Sequence, residues 1–361
     1  YWFGSGRPQA VMLHTNVGLA NGTIGAINAA TDRVPVLMMS GRTPTLERGR
    51  FGARSVPIGW GQEMRDQAAL VREACKWDYE VRFPEQVPEL IDRAHAIAMS
   101  TPKGPVYLSL PREVLAEECP SELVTAPISM HASTVVADEV QIRTLAHLLL
   151  AARRPLIVAQ RGAGTADGFA ALARLADRLA IPVCQYWAIA LAIASEHPCS
   201  VGQDPMPWLA EADLVLVIDS LAPWSPDLHR LHDDAQVVHL GPDPLDHRVP
   251  VRNFRADMAL TSEVGAALVA LDRAVADGFV DSATVAERRQ RLSDHRSARL
   301  GVLVTEAGDQ HSDTPITKEF AASVLSGALQ GVRSTVVSEL GLPLDHLSLV
   351  EHGSWRQEPH S

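Results

Sequence analysis

Short, nearly continuous apolar runs alternate along this chain with segments whose apolar residues follow helical spacing. The runs lie at residues 11–14, 36–40, 105–111, 156–159, 182–184, 214–219, 236–240 and 335–339. Such runs are typical of strands buried on both faces of a parallel sheet. Helical spacing appears at residues 18–30, 86–100, 137–152, 168–179 and 317–329. The alternation predicts an α/β fold of consecutive three-layer domains, each with a parallel sheet covered by helices.

The length of the chain favours more than one domain. It has 361 residues, and single cores usually stop growing near ~250–300 residues. A stretch from Cys119 to Ser133 is rich in Pro, Ser, Glu and Thr and lacks periodicity, as linkers do. We therefore predict domains at residues 1–127, 128–310 and 311–361. The last has one helix and one strand, too little for a core of its own.

Charge and composition exclude several classes of function. The 32 basic and 43 acidic residues give a net charge of −11, and the basic residues are scattered, which argues against a nucleic-acid partner. No apolar run approaches the ~20 residues needed to cross a bilayer, so no membrane association is expected. Cysteines 75, 119, 184 and 199 form no Cys-x-x-Cys pair, so neither a zinc site nor a disulfide framework is predicted. A cytoplasmic protein without a protein-built metal site is expected.

The first candidate site is the polar segment Leu13–Gly22, interpreted as a loop between a strand and a helix. Ligands collect at this edge of open α/β sheets, where helix amides and strand-end side chains converge. His14 is a candidate proton shuttle because imidazole titrates near neutral pH. A structural histidine followed by a helix-capping asparagine would give the same pattern.

Three further segments carry weaker signals. Arg161–Gly168 contains Gly-x-Gly-x-x-x-Gly, which is not the dinucleotide fingerprint and fits either a nucleotide loop or a tight turn. Ser338–Pro343 follows the last predicted strand; Ser338 and Gly341 could receive a phosphate there, or the segment is a plain turn. The arginines of the loop 42–54 could face an anionic substrate or only solvent.

Taken in order, these segments resemble the thiamine-diphosphate-dependent enzymes. Residues 7–32, 34–44 and 100–112 resemble the pyrimidine-binding domain, 137–272 the Rossmann-like central domain, and 316–361 the start of the diphosphate-binding domain. Leu13–His14, Lys76–Glu80 and Gly104–Pro111 look especially like benzoylformate decarboxylases. Acetolactate synthases usually carry Thr-Ser-Gly-Pro-Gly-Ala-Thr-Asn at the positions of residues 14–21, and this chain keeps only Gly18 and Asn21 of that motif. In contrast, Gln62-Glu63 resembles the segment of acetolactate synthases that reaches the active site. The subfamily stays open.

The resemblance implies roles for individual residues. His14 matches the catalytic acid/base, and Gln62 the substrate side. The cofactor-binding positions implied are Thr15, Asn16, Gly18, Asn21, Glu339 and Gly341. It also implies thiamine diphosphate with Mg²⁺, a small 2-oxo-acid substrate, and a homodimer or homotetramer. Some relatives bind FAD or ADP in the central domain, but Gly162–Gly164 do not justify FAD, and Asp219 stands where relatives commonly have Gly.

The sequence also departs from the family pattern. It contains no Gly-Asp-Gly, with which the family's metal–diphosphate motif begins, and the activating glutamate is expected ahead of Tyr1. We therefore expect a fragment of a decarboxylase or carboligase, cut at both ends and with little or no cofactor affinity by itself. Two alternatives are a non-catalytic binding or regulatory remnant of the same fold, and a nicotinamide-dependent oxidoreductase that uses Gly162–Gly168.

Overall fold

The computed structural model describes residues 1–124, 129–276, 278–308, 315–339 and 341–357, without the side chains of residues 307 and 308. The chain forms two compact units. One comprises Tyr1–Thr134, and the other begins at Val135. Among the described residues, no helix is both long and apolar enough to cross a membrane.

The first unit is a parallel sheet between helices. Its strands are β1 (Gln9–Leu13), β2 (Val36–Arg42), β3 (Asp78–Glu80) and β4 (Val106–Pro111), in the order β1-β2-β4-β3. Its helices are α1 (Trp2–Ser5), α2 (Thr15–Thr31), α3 (Ile58–Gly61), α4 (Val87–Met99) and α5 (Arg112–Ala116), with 3-10 turns at Ala68–Leu70, Pro84–Gln86 and Ser121–Leu123. The predicted α/β class is confirmed.

Alternation along β4 divides the core of this unit into two layers. Tyr107 packs in one cluster with Leu19 of α2 and Met38 of β2. Its neighbours Val106 and Leu108 belong to a second cluster, which contains Ala94 and Ala98 of α4. Successive side chains of a strand point to opposite faces, so a strand covered on both faces must be apolar throughout. This is why residues 105–111 appear as one continuous run.

The second unit contains a five-stranded parallel sheet. Its strands are β5 (Pro155–Ala159), β6 (Val183–Cys184), β7 (Leu214–Ile218), β8 (Gln236–Gly241) and β9 (Met258–Thr261), in the order β6-β5-β7-β8-β9. Its helices are α6 (Glu139–Ala151), α7 (Ala166–Leu179), α8 (Met206–Leu209), α9 (Val264–Ala276), α10 (Ser282–Gly308) and α11 (Lys318–Ala328). A separate parallel pair joins β10 (Val336–Ser338) to β11 (Trp355–Gln357), and Leu344–His346 form a 3-10 turn.

One local expectation needs correction. The segment Leu13–Gly22 is not a loop, because α2 begins at Thr15 and leaves His14 as the only connecting residue. The 27-residue helix α10, Ser282–Gly308, was not predicted from the sequence.

The described residues beyond 315 pack within the second unit. The indole Nε1 of Trp355 donates to the carbonyl of Ala188 at 2.7 Å, and the Ser195 amide donates to the Leu349 carbonyl at 2.9 Å. The division into domains at 1–127, 128–310 and 311–361 remains a prediction, and residues 125–128 and 309–314 lie outside the described residues.

Candidate functional site

The carboxyl ends of the four parallel strands in the first unit meet at one edge of the sheet. Leu13 at the end of β1 pairs with Ser40 of β2, Arg42 ends β2 opposite Pro111, and Glu80 ends β3 opposite Ser109. Ligands bind at this edge of open α/β sheets. The polar residues that follow these strands therefore form the candidate site.

His14 and Thr15 join the end of β1 to α2. His14 is the exposed N-cap residue, with extended backbone and no side-chain capping bond, and its carbonyl accepts the Gly18 amide at 2.6 Å. Thr15 has φ 44°, in the left-handed region that β-branched residues rarely adopt. Such strain persists where the surroundings impose it, and it is often found at functional sites. Because the His14 side chain makes no capping bond to α2, its exposed imidazole is available at the sheet edge.

Thr15 is also where two distant parts of the predicted site meet. Its hydroxyl donates to Oε1 of Gln62 at 3.3 Å and lies 3.4 Å from Oδ1 of Asn16. Gln62 caps the short helix α3. A hydroxyl and two carboxamides therefore cluster beside His14, and they offer both donors and acceptors to a polar ligand.

Gly18 and Asn21, also predicted to bind the cofactor, have local contacts within the first unit. A Cβ on Gly18 would lie 3.2 Å from the Leu13 carbonyl carbon, so this glycine lets α2 pack closely on the end of β1. The Asn21 amide donates to the carbonyl of Val17 in its own helix at 3.1 Å, and the residue is exposed. Their assignment to the cofactor stays a prediction.

An ion network that sequence reasoning did not identify lies at the same edge. The Arg42 guanidinium donates to Glu80 at 2.7 Å and to Glu63 at 3.1 Å. Burial lowers the pKa of Arg42, but hydrogen bonds and charge attraction from Glu80 and Glu63 more than offset this, so its pKa is raised. Arg42 is thus bound to carboxylates of its own unit. The sequence drew attention to the arginines of the loop 42–54 and to the pair Gln62-Glu63, but no local pattern indicated that Arg42 binds Glu63 and Glu80.

A neutral polar cluster lies buried in the sheet beside this network. The Gln67 side-chain amide donates to Ser40 at 2.9 Å, to the Tyr107 hydroxyl at 3.1 Å and to the Gly41 carbonyl at 2.9 Å. Ser40 and Tyr107 are 2.7 Å apart. These bonds satisfy the two hydroxyls and the amide nitrogen, which would be costly to bury alone, whereas Oε1 of Gln67 is buried without a partner among the described residues. They also fix the chain just beyond Gln62.

The remaining two predicted cofactor residues lie in the second unit. Exposed Glu339 directly follows β10. Gly341 has φ 79°, and a Cβ there would collide with the end of the Lys318 side chain. The positive φ explains the glycine; binding of a cofactor there remains a prediction.

The glycine-rich segment 162–168 has a packing role. A Cβ on Gly164 would lie 2.7 Å from the Gly265 amide nitrogen, and one on Gly168 would lie 2.7 Å from the Gly265 Cα. Thr165 caps α7 by accepting the Gly168 amide at 3.0 Å. The glycines thus allow α7 and α9 to approach closely. This packing explains the glycine-rich segment without a nucleotide, and that segment was the only sequence feature behind the nicotinamide-dependent oxidoreductase alternative.

A buried ion cluster lies at the carboxyl edge of the second sheet. Arg161 approaches Asp219 at 3.4 Å and Asp246 at 4.0 Å, and Arg252 approaches Asp246 at 3.2 Å. All four side chains are at most 11% exposed. Asp219 has φ 39°, a left-handed backbone conformation that glycine adopts freely, so glycine would also fit at this position.

No group of three or more His, Cys, Asp or Glu side chains that could hold a metal ion occurs among the described residues.

Comparisons with known proteins identify two family matches in this chain. Residues 1–70 match the family described as thiamine pyrophosphate enzyme, N-terminal TPP binding domain, and residues 142–271 match thiamine pyrophosphate enzyme, central domain. His14, Thr15 and Gln62 lie within the first match.

Two curated relatives cover most of the chain. A "Probable 2-ketoarginine decarboxylase AruI" of Pseudomonas aeruginosa is 30% identical over 80% of this chain and 51% of its own length. A "Probable acetolactate synthase large subunit" of Methanocaldococcus jannaschii is 25% identical over 74% of this chain and 47% of its own length. The chain therefore spans about half the length of these relatives.

A solved structure shows the same fold. Benzoylformate decarboxylase from Polynucleobacter necessarius superimposes with a TM-score of 0.70 at 18% identity, covering 98% of this chain and 63% of that one. At this identity the likeness concerns the fold alone.

Proposed function

Because the chain belongs to the thiamine pyrophosphate enzyme superfamily, we propose that its sheet-edge site takes part in thiamine-diphosphate-dependent decarboxylation or carboligation of a small 2-oxo acid. One observation carries the proposal: His14, Thr15, Asn16 and Gln62 lie together at the carboxyl edge of the sheet, in the segment that matches a TPP binding domain. The relatives named for decarboxylation and acetolactate synthesis support this class of substrate.

The donor set fits the pyrimidine end of the cofactor. An aminopyrimidine has ring-nitrogen acceptors and an amino donor, which the Thr15 hydroxyl and the Asn16 and Gln62 carboxamides can match. We assign Gly18 and Asn21 to the aminopyrimidine contacts of the first unit, and we keep Glu339 and Gly341 of the second unit as proposed cofactor-binding residues. When bound, the cofactor supplies the electron sink for loss of carbon dioxide.

We assign proton transfer to His14. Its imidazole is exposed and has no capping bond to α2, so it is available to hold or deliver a proton at the substrate. Gln62 lies on the substrate side and orients the 2-oxo acid by hydrogen bonding. Positioned groups of this kind act by holding reacting atoms in a productive arrangement.

We further propose that Mg²⁺ accompanies the cofactor and that the active protein is a homodimer or homotetramer. Mg²⁺ in phosphate sites is held by phosphate oxygens with only one or two carboxylates, so no cluster of protein ligands is required. In the protein expressed from its complete coding sequence, removal of Mg²⁺ with EDTA should abolish cofactor binding in calorimetry, and sedimentation should show two or four copies. Binding unchanged by EDTA, or a monomer, would contradict these proposals.

The function is tested with His14→Ala in the protein expressed from its complete coding sequence. Carbon dioxide release is measured with thiamine diphosphate, Mg²⁺ and a panel comprising pyruvate, benzoylformate and 5-guanidino-2-oxopentanoate. We expect turnover to fall by about 10²–10⁴-fold, the usual contribution of a positioned acid or base, while calorimetry shows retained cofactor binding. His95→Ala is the control, because His95 is exposed on α4.

Two outcomes would contradict the proposal at different levels. Near-normal turnover of His14→Ala would remove the role of His14. If the unaltered protein neither decarboxylates nor condenses any 2-oxo acid of the panel, the proposed function itself is wrong.

A further inference from the structure

Glu63, the residue after Gln62, accepts hydrogen bonds from three side chains. Its Oε1 accepts from Arg42 at 3.1 Å, and its Oε2 accepts from the Thr43 hydroxyl at 2.9 Å and from Arg54. The side chain is 29% exposed. A carboxylate with this many donors, two of them charged, is strongly restrained.

Two of the donors tie Glu63 to the sheet of the first unit. Arg42 ends β2 and Thr43 follows it, so both move with the sheet. Arg42 also donates to Glu80 at the end of β3, at 2.7 Å, and to the carbonyl of Met64, at 3.1 Å. The backbone on the carboxyl side of Gln62 is thus fixed to two strand ends.

Arg54 connects the same carboxylate to the loop that precedes α3. Its Nε donates to the Pro44 carbonyl at 2.7 Å, and its guanidinium lies 5.5 Å from the centre of the Trp60 ring. A single acidic side chain therefore joins the sheet edge to both ends of residues 44–60.

We propose that Glu63 is a positioning residue that holds the Gln62 side chain against the Thr15 hydroxyl. This inference rests on the proposed function of the site, in which Gln62 faces the substrate. The reason is entropic: a glutamine side chain loses considerable rotamer freedom when it is ordered. Anchoring the adjacent residue to the strand ends limits where Gln62 can reach. Sites need this support from neighbouring residues because small displacements cost activity.

Hydrogen exchange provides a test that does not depend on turnover. Glu63→Gln keeps the shape of the side chain but removes its charge. Amide exchange should rise about tenfold in residues 58–64 and also in residues 13–18 around Thr15, since a hydrogen bond to a charged group is worth roughly that factor or more. The matched control is Glu47→Gln, the same change in the same loop, at an exposed carboxylate that accepts a hydrogen bond from the Trp60 indole at 3.0 Å.

The location of the change distinguishes a positioning role from a merely structural one. If Glu63 only stabilises the loop, Glu63→Gln increases exchange in residues 44–61 and leaves residues 13–18 unchanged. That result, or equal effects of Glu63→Gln and Glu47→Gln, overturns the proposal.

A double-mutant cycle separates this inference from the proposed function. Turnover of a 2-oxo acid is compared for Gln62→Ala, Glu63→Gln and the double variant. If Glu63 acts through Gln62, the double variant is as slow as Gln62→Ala and no slower. Losses that multiply overturn the positioning role. Wild-type turnover in Gln62→Ala would instead remove Gln62 from the reaction, while the exchange experiment still decides whether Glu63 positions it.

Discussion

The hydroxyl of Thr15 lies 3.3 Å from Oε1 of Gln62, although 47 positions separate the two residues in the sequence. Thr15 makes this contact with its backbone in the left-handed region, at φ 44°. The connection between the start of α2 and the end of α3 is therefore made by a residue under backbone strain, a combination that is common where function depends on the geometry.

Replacing Thr15 with glycine should release this strain. A left-handed backbone costs a β-branched residue about 1–2 kcal/mol, whereas glycine adopts it freely but loses ~0.5–1 kcal/mol in entropy. We expect Thr15→Gly to leave the free energy of unfolding unchanged or raise it by about 1 kcal/mol, as measured by urea denaturation. Thr23→Gly, at a residue in the interior of α2 whose hydroxyl donates to Leu19, should lower it by about 1 kcal/mol. Equal losses in both variants would show that Thr15 is not strained.

Substitution by alanine should have opposite effects at two helical glycines, Gly168 in α7 and Gly301 in α10. A Cβ on Gly168 would collide with the Ala163 carbonyl and the Gly265 Cα, so Gly168→Ala should destabilise the second unit by about 1–3 kcal/mol. Nothing lies within 4 Å of a Cβ on Gly301 in α10, so Gly301→Ala should stabilise it by about 1 kcal/mol. Thermal unfolding measures both. A tolerated Gly168→Ala would reopen the interpretation of residues 162–168 as a ligand loop.

Buried His239 predicts a loss of stability in acid. Burial, aided by the positive charge of Arg252, lowers the pKa of His239 to about 4, whereas in the unfolded chain it is ~6.5. Between these two pKa values the unfolded state binds a proton at residue 239 and the folded state does not. The free energy of unfolding therefore falls as the pH drops from 6.5 towards 4. From pH 7 to pH 5 the loss should be roughly 2 kcal/mol.

The variant His239→Gln retains a donor for the Arg255 carbonyl, which accepts from His239 at 3.0 Å, but does not titrate. Its urea midpoint should therefore change less between pH 7 and pH 5 than that of the unaltered protein. His147→Gln, at an exposed position of α6, should keep the full pH dependence. The same pH dependence in His239→Gln would refute the assignment.

The ion cluster at the edge of the second sheet predicts a large cost for losing one charge. Asp246→Asn removes the charge but keeps a residue type that tolerates φ 48°. Arg161 and Arg252, 7% and 4% exposed, would lose a carboxylate, and breaking a buried pair costs about 3–5 kcal/mol. Asp233→Asn is the control, because its pair with Arg230 is exposed and such pairs contribute little. Chemical denaturation that gives equal stability for the two variants would contradict the prediction.

Much of the fold could be predicted from the sequence because buried parallel strands are apolar throughout. The runs at 105–111 and 214–219 correspond to β4 and β7, and the spacing at 86–100 corresponds to α4. The helix α10 was missed because few of its side chains are buried; Leu292 is one of them. Arg289 and Arg299 of this helix pair with Asp177 and Asp345, partners more than 40 positions away that periodicity cannot reveal.

The candidate site was predictable only in part. The prediction that His14 follows a strand agrees with its position at the end of β1, while its role stays a prediction. The start of α2 was not predicted at Thr15, because a threonine residue gives no sign of a left-handed backbone. The partners of Glu63 come from residues 42, 43 and 54, and no local pattern indicates that one carboxylate receives all three. Similarly, Gly168 suggests a ligand loop until Gly265 is known to lie against it.

The polar attachment of α10 has a consequence for how the second unit responds to its solution. Arg289, Arg291 and Arg299 hold the helix through ion pairs to Asp177, Glu211 and Asp345, at N–O distances of 3.0, 2.9 and 2.8 Å. Partly exposed pairs weaken as dissolved salt shortens the range of charge attraction, about 8 Å at physiological ionic strength, whereas apolar burial does not. Salt concentration can therefore loosen this helix while the adjacent sheet remains intact.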